Sequence, residues 1–195
     1  METGVTHDVF IHVRIVMGTV IGLGLTRLLM GTAGLIQHPQ RARISLLHLL
    51  WVGSMMLELV LFWWWEYDLS ALRGWNIGIF LFLMGYAITL FALCALLFPD
   101  NLADYDGYED FFLRRRVWFF SIFGLTFLLD LLDILLKGQR YFDANVLVYV
   151  AQIPVGLALS AIAIWTANRR FHLGFVALNL LYQAFSIVFY FETRA

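Results

Sequence analysis

Three ionisable side chains lie inside long apolar runs of the sequence: Arg27, Glu58 and Asp130. Arg27 lies in the run 15–36, where all the remaining residues are apolar, glycine or threonine. A guanidinium keeps its proton inside a membrane, so it needs a carboxylate, carbonyl groups or water around it. We therefore expect Arg27 to lie within salt-bridge distance of Glu58 or Asp130, directly or through one water.

These three side chains could together bind and release protons or ions. One fixed positive charge beside two carboxyl groups would leave a site that can take up and release a proton or bind a cation. Carboxyl groups inside membrane proteins serve as proton relays and ion sites. The alternative is structural: a neutral Arg–carboxylate pair and one protonated acid would then only lock helices together.

Small residues share a face with Arg27. Gly31 and Gly34 follow it at i+4 and i+7, positions that lie on one side of a helix. Such glycines allow a neighbouring helix to approach closely, so we expect that helix to bring a carboxylate to the arginine.

Further polar residues in the later apolar runs extend the predicted path. Asp133 shares a helix face with Asp130 and has a partner at i+4, Lys137, near the end of the run. A mainly structural role is therefore expected for Asp133. The residues predicted to line a proton or ion path are Arg27, Glu58, Asp130, Asp133, Gln152, Asn179 and Gln183.

The composition indicates an integral membrane protein. Hydrophobic residues make up 62% of the chain and charged residues 14%, and the mean hydropathy is +0.80. Soluble domains have about 45–50% apolar and about 25% charged residues. The net charge of −1 gives no reason to expect a nucleic-acid partner, and Cys94, as the single cysteine, excludes intrachain disulfides. We expect no cofactor and no metal.

Six apolar windows predict six transmembrane helices in a single all-α domain covering 1–195. About 20 residues of helix cross the hydrocarbon core of a bilayer, and the alternation typical of a barrel is absent. The first window is expected to be a retained helix rather than a signal peptide. The windows are 9–36, 44–66, 75–98, 117–136, 144–167 and 172–191.

Basic residues outside the windows predict the orientation. Seven fall on one side, at positions 41, 43, 114–116, 169 and 170, and four on the other, Arg73, Lys137, Arg140 and Arg194. The positive-inside rule then places both termini outside a cell inner (plasma) membrane. We expect Arg114, Arg115 and Arg116 to contact anionic lipid headgroups on the inner side.

A gap-free offset of 100 residues aligns several positions of the two halves, 1–95 and 101–195. It pairs Arg14 with Arg114 and Trp65 with Trp165. This pattern suggests a three-plus-three inverted repeat, which is common in transporters. The alternative is chance similarity between two apolar segments of low complexity.

Two weaker signals remain. His48 and His172 lie at similar depth on different predicted helices and could ligate a haem, although interfacial histidines are more often structural. The acidic loop 99–110 resembles part of a calcium loop but lacks its full ligand register.

The preferred functional hypothesis is a small ion- or proton-conducting channel or transporter, expected to form a homo-oligomer. The alternative is a non-transporting membrane subunit or sensor that binds partner proteins or lipids. A haem- or quinone-linked enzyme or a lipid-modifying enzyme is the third alternative. The sequence has no nucleophile, phosphate-loop or zinc-protease motif, so we expect a protein that is not an enzyme.

Overall fold

In a computed structural model the chain forms six α-helices and one short 3₁₀-helix, with no strand among the residues that the structure describes. These residues are 2–38, 40, 43–72 and 74–194, without the side chains at 2–7, 71, 139–149 and 189–194. The predicted all-α class is confirmed. The helices are α1 Glu2–Gln37, α2 Leu46–Trp65, α3 Ile77–Ala95, α4 Tyr108–Lys137, α5 Gln139–Trp165 and α6 Arg169–Arg194, and the 3₁₀-helix is Glu66–Ala71.

Five of the helices are long and apolar enough to cross a membrane, and α5 has a shorter apolar stretch, Val150–Trp165, in its described part. Every predicted window overlaps one helix. The 36 residues of α1 extend over about 54 Å, well beyond the ~30 Å of a hydrocarbon core. A residue at the middle of the apolar run in α1 therefore need not lie at the middle depth of the bundle.

Local sequence signals account for several helix ends. The Ser45 side chain accepts a hydrogen bond from the backbone N–H of His48 and caps α2, and the Asn76 side chain caps α3 in the same way through Ile79. Gly138 joins α4 to α5 with a φ of 89°, a left-handed conformation that glycine adopts at little cost. Gly138 lies between the predicted windows 117–136 and 144–167, so the two helices separate where the sequence places their boundary.

The helices pack in three main pairs: α1 on α3, α4 on α5, and α2 on α6. In a three-plus-three repeat, the α4–α5 pair would correspond to α1–α2. Instead α1 packs chiefly on α3, so the helix packing lends no support to the repeat, which stays a prediction.

An aromatic layer fills the bundle around Trp51, whose indole is completely buried. The ring centroids of its neighbours lie 5.2–6.2 Å from that of Trp51, mostly edge-to-face. The aromatic layer consists of Trp51, Phe112, Phe119, Phe120, Phe123 and Phe175.

Candidate functional site

Beyond the aromatic layer, toward the C-terminal ends of α2 and α4, the bundle encloses a cavity of about 40 Å³. This volume holds a few waters, since one water needs roughly 10–15 Å³ by this measure. Four carboxyl side chains and one ammonium line it, and we call it the acidic cavity: Glu58, Glu66, Asp130, Asp133 and Lys137. Its other polar lining residues are Tyr86, Thr126, Gln152, Asn179 and Tyr182.

A buried ion triad forms one end of the acidic cavity. The Lys137 ammonium lies 3.0 Å from Glu66 Oε1 and 2.5 Å from Asp133 Oδ2, and its side chain is 2% exposed. The second oxygens, Glu66 Oε2 and Asp133 Oδ1, are buried without a hydrogen-bond partner in the described part of the chain. One ammonium therefore serves two carboxylates and leaves two acceptor atoms available.

The Asp130 carboxyl group is bound by a tyrosine on α3. The Tyr86 hydroxyl donates a hydrogen bond to Asp130 Oδ1, and the tyrosine is almost completely buried beside Phe62. A buried tyrosine hydroxyl needs such a partner. The carboxyl group of Asp130 is thus oriented by a neutral donor rather than by a cation.

The Glu58 carboxyl group is bound by a glutamine on α6. Gln183 Nε2 donates hydrogen bonds to Glu58 Oε2 at 2.8 Å and to the Ser54 carbonyl at 3.1 Å. Asn179 Nδ2 donates to Ser54 Oγ at 2.7 Å, one turn away on the same face. These bonds connect α2 to α6, and among the described residues no lysine or arginine pairs with Glu58.

The α5 side of the acidic cavity is closed by Gln152 and Tyr182. The Tyr182 hydroxyl donates to Gln152 Oε1 at 2.5 Å. Both side chains line the acidic cavity and also an apolar space between α5 and α6, so this bond lies between the two.

The structure brings most of the predicted path residues together. Five of them line the acidic cavity, and Gln183 contacts it through Glu58. The residues gathered in this way are Glu58, Asp130, Asp133, Gln152, Asn179 and Gln183. The predicted pair between Asp133 and Lys137 is confirmed.

The predicted pairing of Arg27 with Glu58 or Asp130 is wrong. Arg27 Nη2 donates instead to Asp100 Oδ1 and to the Phe98 carbonyl, each at 2.7 Å, and its side chain is 38% exposed. These partners follow the end of α3, so Arg27 lies at that end of the bundle, apart from the acidic cavity. The length of α1 explains the error, because the apolar run extends beyond the depth that one membrane crossing needs.

A glycine near Arg27 does allow a neighbouring segment to bring a carboxylate to the arginine, but this carboxylate is neither Glu58 nor Asp130. A Cβ atom at Gly31 would overlap the Phe98 ring, so the glycine allows the end of α3 to approach and bring Asp100 to Arg27. Gly34 has open space around it.

Sequence reasoning missed Glu66, Tyr86 and Tyr182 as site residues. Glu66 follows Glu58 by eight positions, much as Lys137 follows Asp130 by seven, on helices that run in the same direction. Similar spacing along parallel helices would have placed Glu66 and Lys137 at similar depths if Glu58 and Asp130 lie at one depth. For Tyr86, a phenolic hydroxyl in a mainly apolar helix was the available signal.

Neither histidine of the haem alternative has a free Nε2 atom. His48 Nε2 lies 2.6 Å from the Leu97 carbonyl, and His172 Nε2 lies 2.8 Å from the Thr166 carbonyl. The His48 ring also stacks on Tyr108. Both rings therefore tie helix ends to adjacent backbone. Among the described residues, no group of three or more His, Cys, Asp or Glu side chains could hold a metal ion.

The basic cluster that precedes the aromatic layer on α4 has mostly local partners. Arg114 Nε lies 2.9 Å from Asp110 Oδ1 at i−4, and Arg115 donates to the Tyr105 hydroxyl. Arg116 donates to the backbone carbonyl three residues earlier. Lipid contact by these arginines stays a prediction.

The basic residues used for the orientation are only partly described. Arg41 and Arg73 lie outside the described residues, as do the side chains of Arg140 and Arg194. Lys137, which the sequence suggested as an outer basic residue, is buried in the acidic cavity. Its removal from the outer count leaves the predicted orientation unchanged.

A scan against protein-family models found no match to the chain, and searches of curated proteins and of solved structures found none either.

Proposed function

We propose that this protein lies in a membrane and transports protons or a small monovalent cation through the acidic cavity. The observation that carries the proposal is the excess of four carboxyl groups over one ammonium around about 40 Å³ of enclosed space. Buried charge without compensation costs several kcal/mol. The cavity therefore reaches neutrality by taking up protons or cations, which is the property that a transport site needs.

Membrane insertion is supported by the surface as well as by helix length. Large apolar side chains are widely exposed on the outside of the helices, among them Trp165 at 86%, Ile36 at 77% and Leu181 at 68%. Extended apolar surface is rare on soluble monomers and typical of lipid contact. We propose the orientation with both termini outside, in which the acidic cavity lies in the outer half.

A gated transporter is favoured over an open channel by the aromatic layer. Trp51 precedes Glu58 by seven residues on α2, so the layer lies about 10 Å farther toward the inner side. Close-packed rings there leave no room for hydrated ions. Passage then requires a second conformation in which the layer opens, as alternating access demands.

The chemistry of the cavity favours protons or monovalent cations as the transported species. Its carboxyl groups are bound to Lys137, Tyr86 and Gln183, and no described group of acids is arranged to hold a metal ion. A divalent ion would need several oxygen ligands converging at one point. Protons can instead occupy individual carboxyl groups. We propose a homo-oligomer as the working form, as for many small membrane proteins.

Flux measurements with the purified protein in liposomes test the proposal. Proton, sodium, potassium and chloride gradients are applied in turn, and a pH-sensitive dye or an ion-selective dye inside the liposomes reports movement. We expect proton, sodium or potassium flux above that of protein-free liposomes. Background flux for all four ions would overturn the proposal and leave the non-transporting membrane subunit as the function.

A further inference from the structure

An apolar groove of about 390 Å³ lies between α5 and α6, next to the acidic cavity. It exists because α5 packs chiefly on α4 while α6 packs chiefly on α2, so the two helices meet each other only slightly. Phe127 contributes to its floor, and Gly156 allows the α5 backbone to approach that ring, since a Cβ there would overlap it. Its exposed wall residues include Val155, Leu178 and Phe185.

The groove and the acidic cavity share a wall. Phe127, Gln152, Asn179 and Tyr182 line both spaces. The hydrogen bond from the Tyr182 hydroxyl to Gln152 Oε1 crosses the boundary between them. These two side chains therefore lie between an apolar space at the surface and a polar space inside.

In the polar space carboxyl groups outnumber the single Lys137 ammonium, and the unpartnered side-chain atoms among its described lining residues are acceptors. Glu66 Oε2 and Asp133 Oδ1 line the acidic cavity, are buried, and have no hydrogen-bond partner in the described part of the chain. The residues that carry them are 2% and 6% exposed. Acceptors of this kind are complementary to a cationic group with several N–H donors, and they repel a carboxylate or phosphate.

We propose that the groove and the acidic cavity together bind a single-chain amphiphile with a protonated primary amine. The alkyl chain lies in the groove between α5 and α6, and the ammonium reaches Glu66 and Asp133. The exposed groove walls allow the ligand to enter sideways from the membrane. The inference shares the acidic cavity with the proposed function and goes beyond it, because it assigns a second class of ligand to that cavity.

Binding of radiolabelled dodecylamine to the protein in phosphatidylcholine nanodiscs tests the inference, with empty nanodiscs as background. Unlabelled dodecanol and dodecanoate have the same tail without the positive charge, and propylamine has the charge without the tail. We expect saturable binding that dodecylamine displaces at least about tenfold better than any of the three. Equal displacement by dodecanol, or no saturable binding, would overturn the inference.

Variants on one face of α6 separate groove binding from general partition into the membrane. Leu178→Trp fills the groove, and Leu181→Trp places the same ring at a more exposed position that does not line it. Leu178→Trp should raise the Kd of dodecylamine about tenfold or more, and Leu181→Trp should leave it unchanged. Equal effects of the two variants would contradict the proposed location.

The carboxyl end is tested by Asp133→Asn, which keeps the shape and removes the charge. Dodecylamine binding should weaken while dodecanol binding stays the same, and thermal unfolding of the same sample shows whether the fold is kept. Should the variant unfold, Glu66→Gln replaces it in the same assay. An unchanged dodecylamine affinity in a folded variant would overturn the assignment of the ammonium to this cavity.

Ion flux without added amine distinguishes this inference from the proposed function. Saturable dodecylamine binding by a protein that conducts no ion would support the amphiphile site and overturn ion transport. Ion flux by a protein that binds no dodecylamine would overturn the amphiphile site alone.

Discussion

The Lys137 ammonium and the Glu66 carboxylate lie 3.0 Å apart, both side chains are 2% exposed, and 71 residues separate them in the chain. The contact connects the end of α4 to the turn that follows α2. Since Asp133 shares the same ammonium, one lysine compensates two buried acids. Such a group is expected to be critical for the fold, because its removal leaves both acids without a cation.

Lys137→Met should destabilise the protein strongly. Loss of one partner from a buried ion pair costs about 3–5 kcal/mol, because the remaining charge has no compensation. Thermal unfolding in a mild detergent, followed by circular dichroism, measures the effect. Arg114→Ala is the matched control on α4: its pair with Asp110 is exposed and should contribute about 1 kcal/mol or less.

A double variant checks the physical reason for the Lys137 effect. Lys137→Met with Glu66→Gln removes a positive and a negative charge together, so it should recover part of the stability that Lys137→Met loses. Equal unfolding temperatures for Lys137→Met and Arg114→Ala would contradict a buried triad. Equal losses in the single and the double variant would show that charge balance is not the cause.

The helices were predictable because their signals are local and repeated. Apolar run length is set by the thickness of a bilayer, and breaks such as Gly138 need a left-handed backbone that few other residues adopt. Pairing between helices was not predictable in the same way. It depends on side-chain fit between distant segments, as where Gly156 accommodates Phe127.

The residues of the candidate site could be predicted where an ionisable side chain lies within an apolar helix. Glu58 and Asp130 met that criterion, and both line the acidic cavity. Arg27 met it too, but in a helix as long as α1 the middle of the apolar run does not give the depth of a residue in the bundle. The partner of Arg27 is Asp100, which follows α3. Glu66 was missed because it directly follows Trp63, Trp64 and Trp65 at the end of α2, where acids are usually solvated.

Gly31→Ala should destabilise the protein, because the new methyl group meets the Phe98 ring and the ring is also close to His48. Overpacking of this kind costs about 1–3 kcal/mol. Gly34→Ala, three residues along the same helix, meets nothing within 4 Å and should be neutral or stabilising by up to about 1 kcal/mol through helix propensity. Thermal unfolding of both variants decides, and a result with Gly31→Ala at least as stable as Gly34→Ala would rule out the close contact.

Cysteine labelling in intact cells should confirm the orientation. The native Cys94 is completely buried, so a membrane-impermeant maleimide should report mainly on an introduced cysteine. Ser70→Cys lies in the 3₁₀-helix on the proposed outer side, and Asp104→Cys lies in the loop before α4 on the proposed inner side; both positions are exposed. We expect label on Ser70→Cys only. Label on Asp104→Cys alone would reverse the orientation, and label on both would argue against membrane insertion.

Neutral isosteres of the cavity acids should alter proton or cation flux without loss of the fold. Asp130→Asn keeps an acceptor for the Tyr86 hydroxyl, and Glu58→Gln keeps an acceptor for Gln183, so both hydrogen bonds survive. An amide cannot take up or release a proton. At least one variant should therefore lower flux about tenfold or remove its dependence on pH, as expected for acids that carry a proton or ion through a membrane.

Arg27→Leu is the control that separates this prediction from a general effect of lost charges. Its guanidinium contacts Asp100 and the Phe98 carbonyl rather than the acidic cavity, so liposome flux should stay near the wild-type value. Exposed pairs contribute about 1 kcal/mol or less, so yield and oligomer size should also be kept. Flux that is lost in Arg27→Leu but normal in both isosteres would move the transport path from the acidic cavity to the α1–α3 contact. Normal flux in all three variants would show that neither the two acids nor the arginine carry the ion.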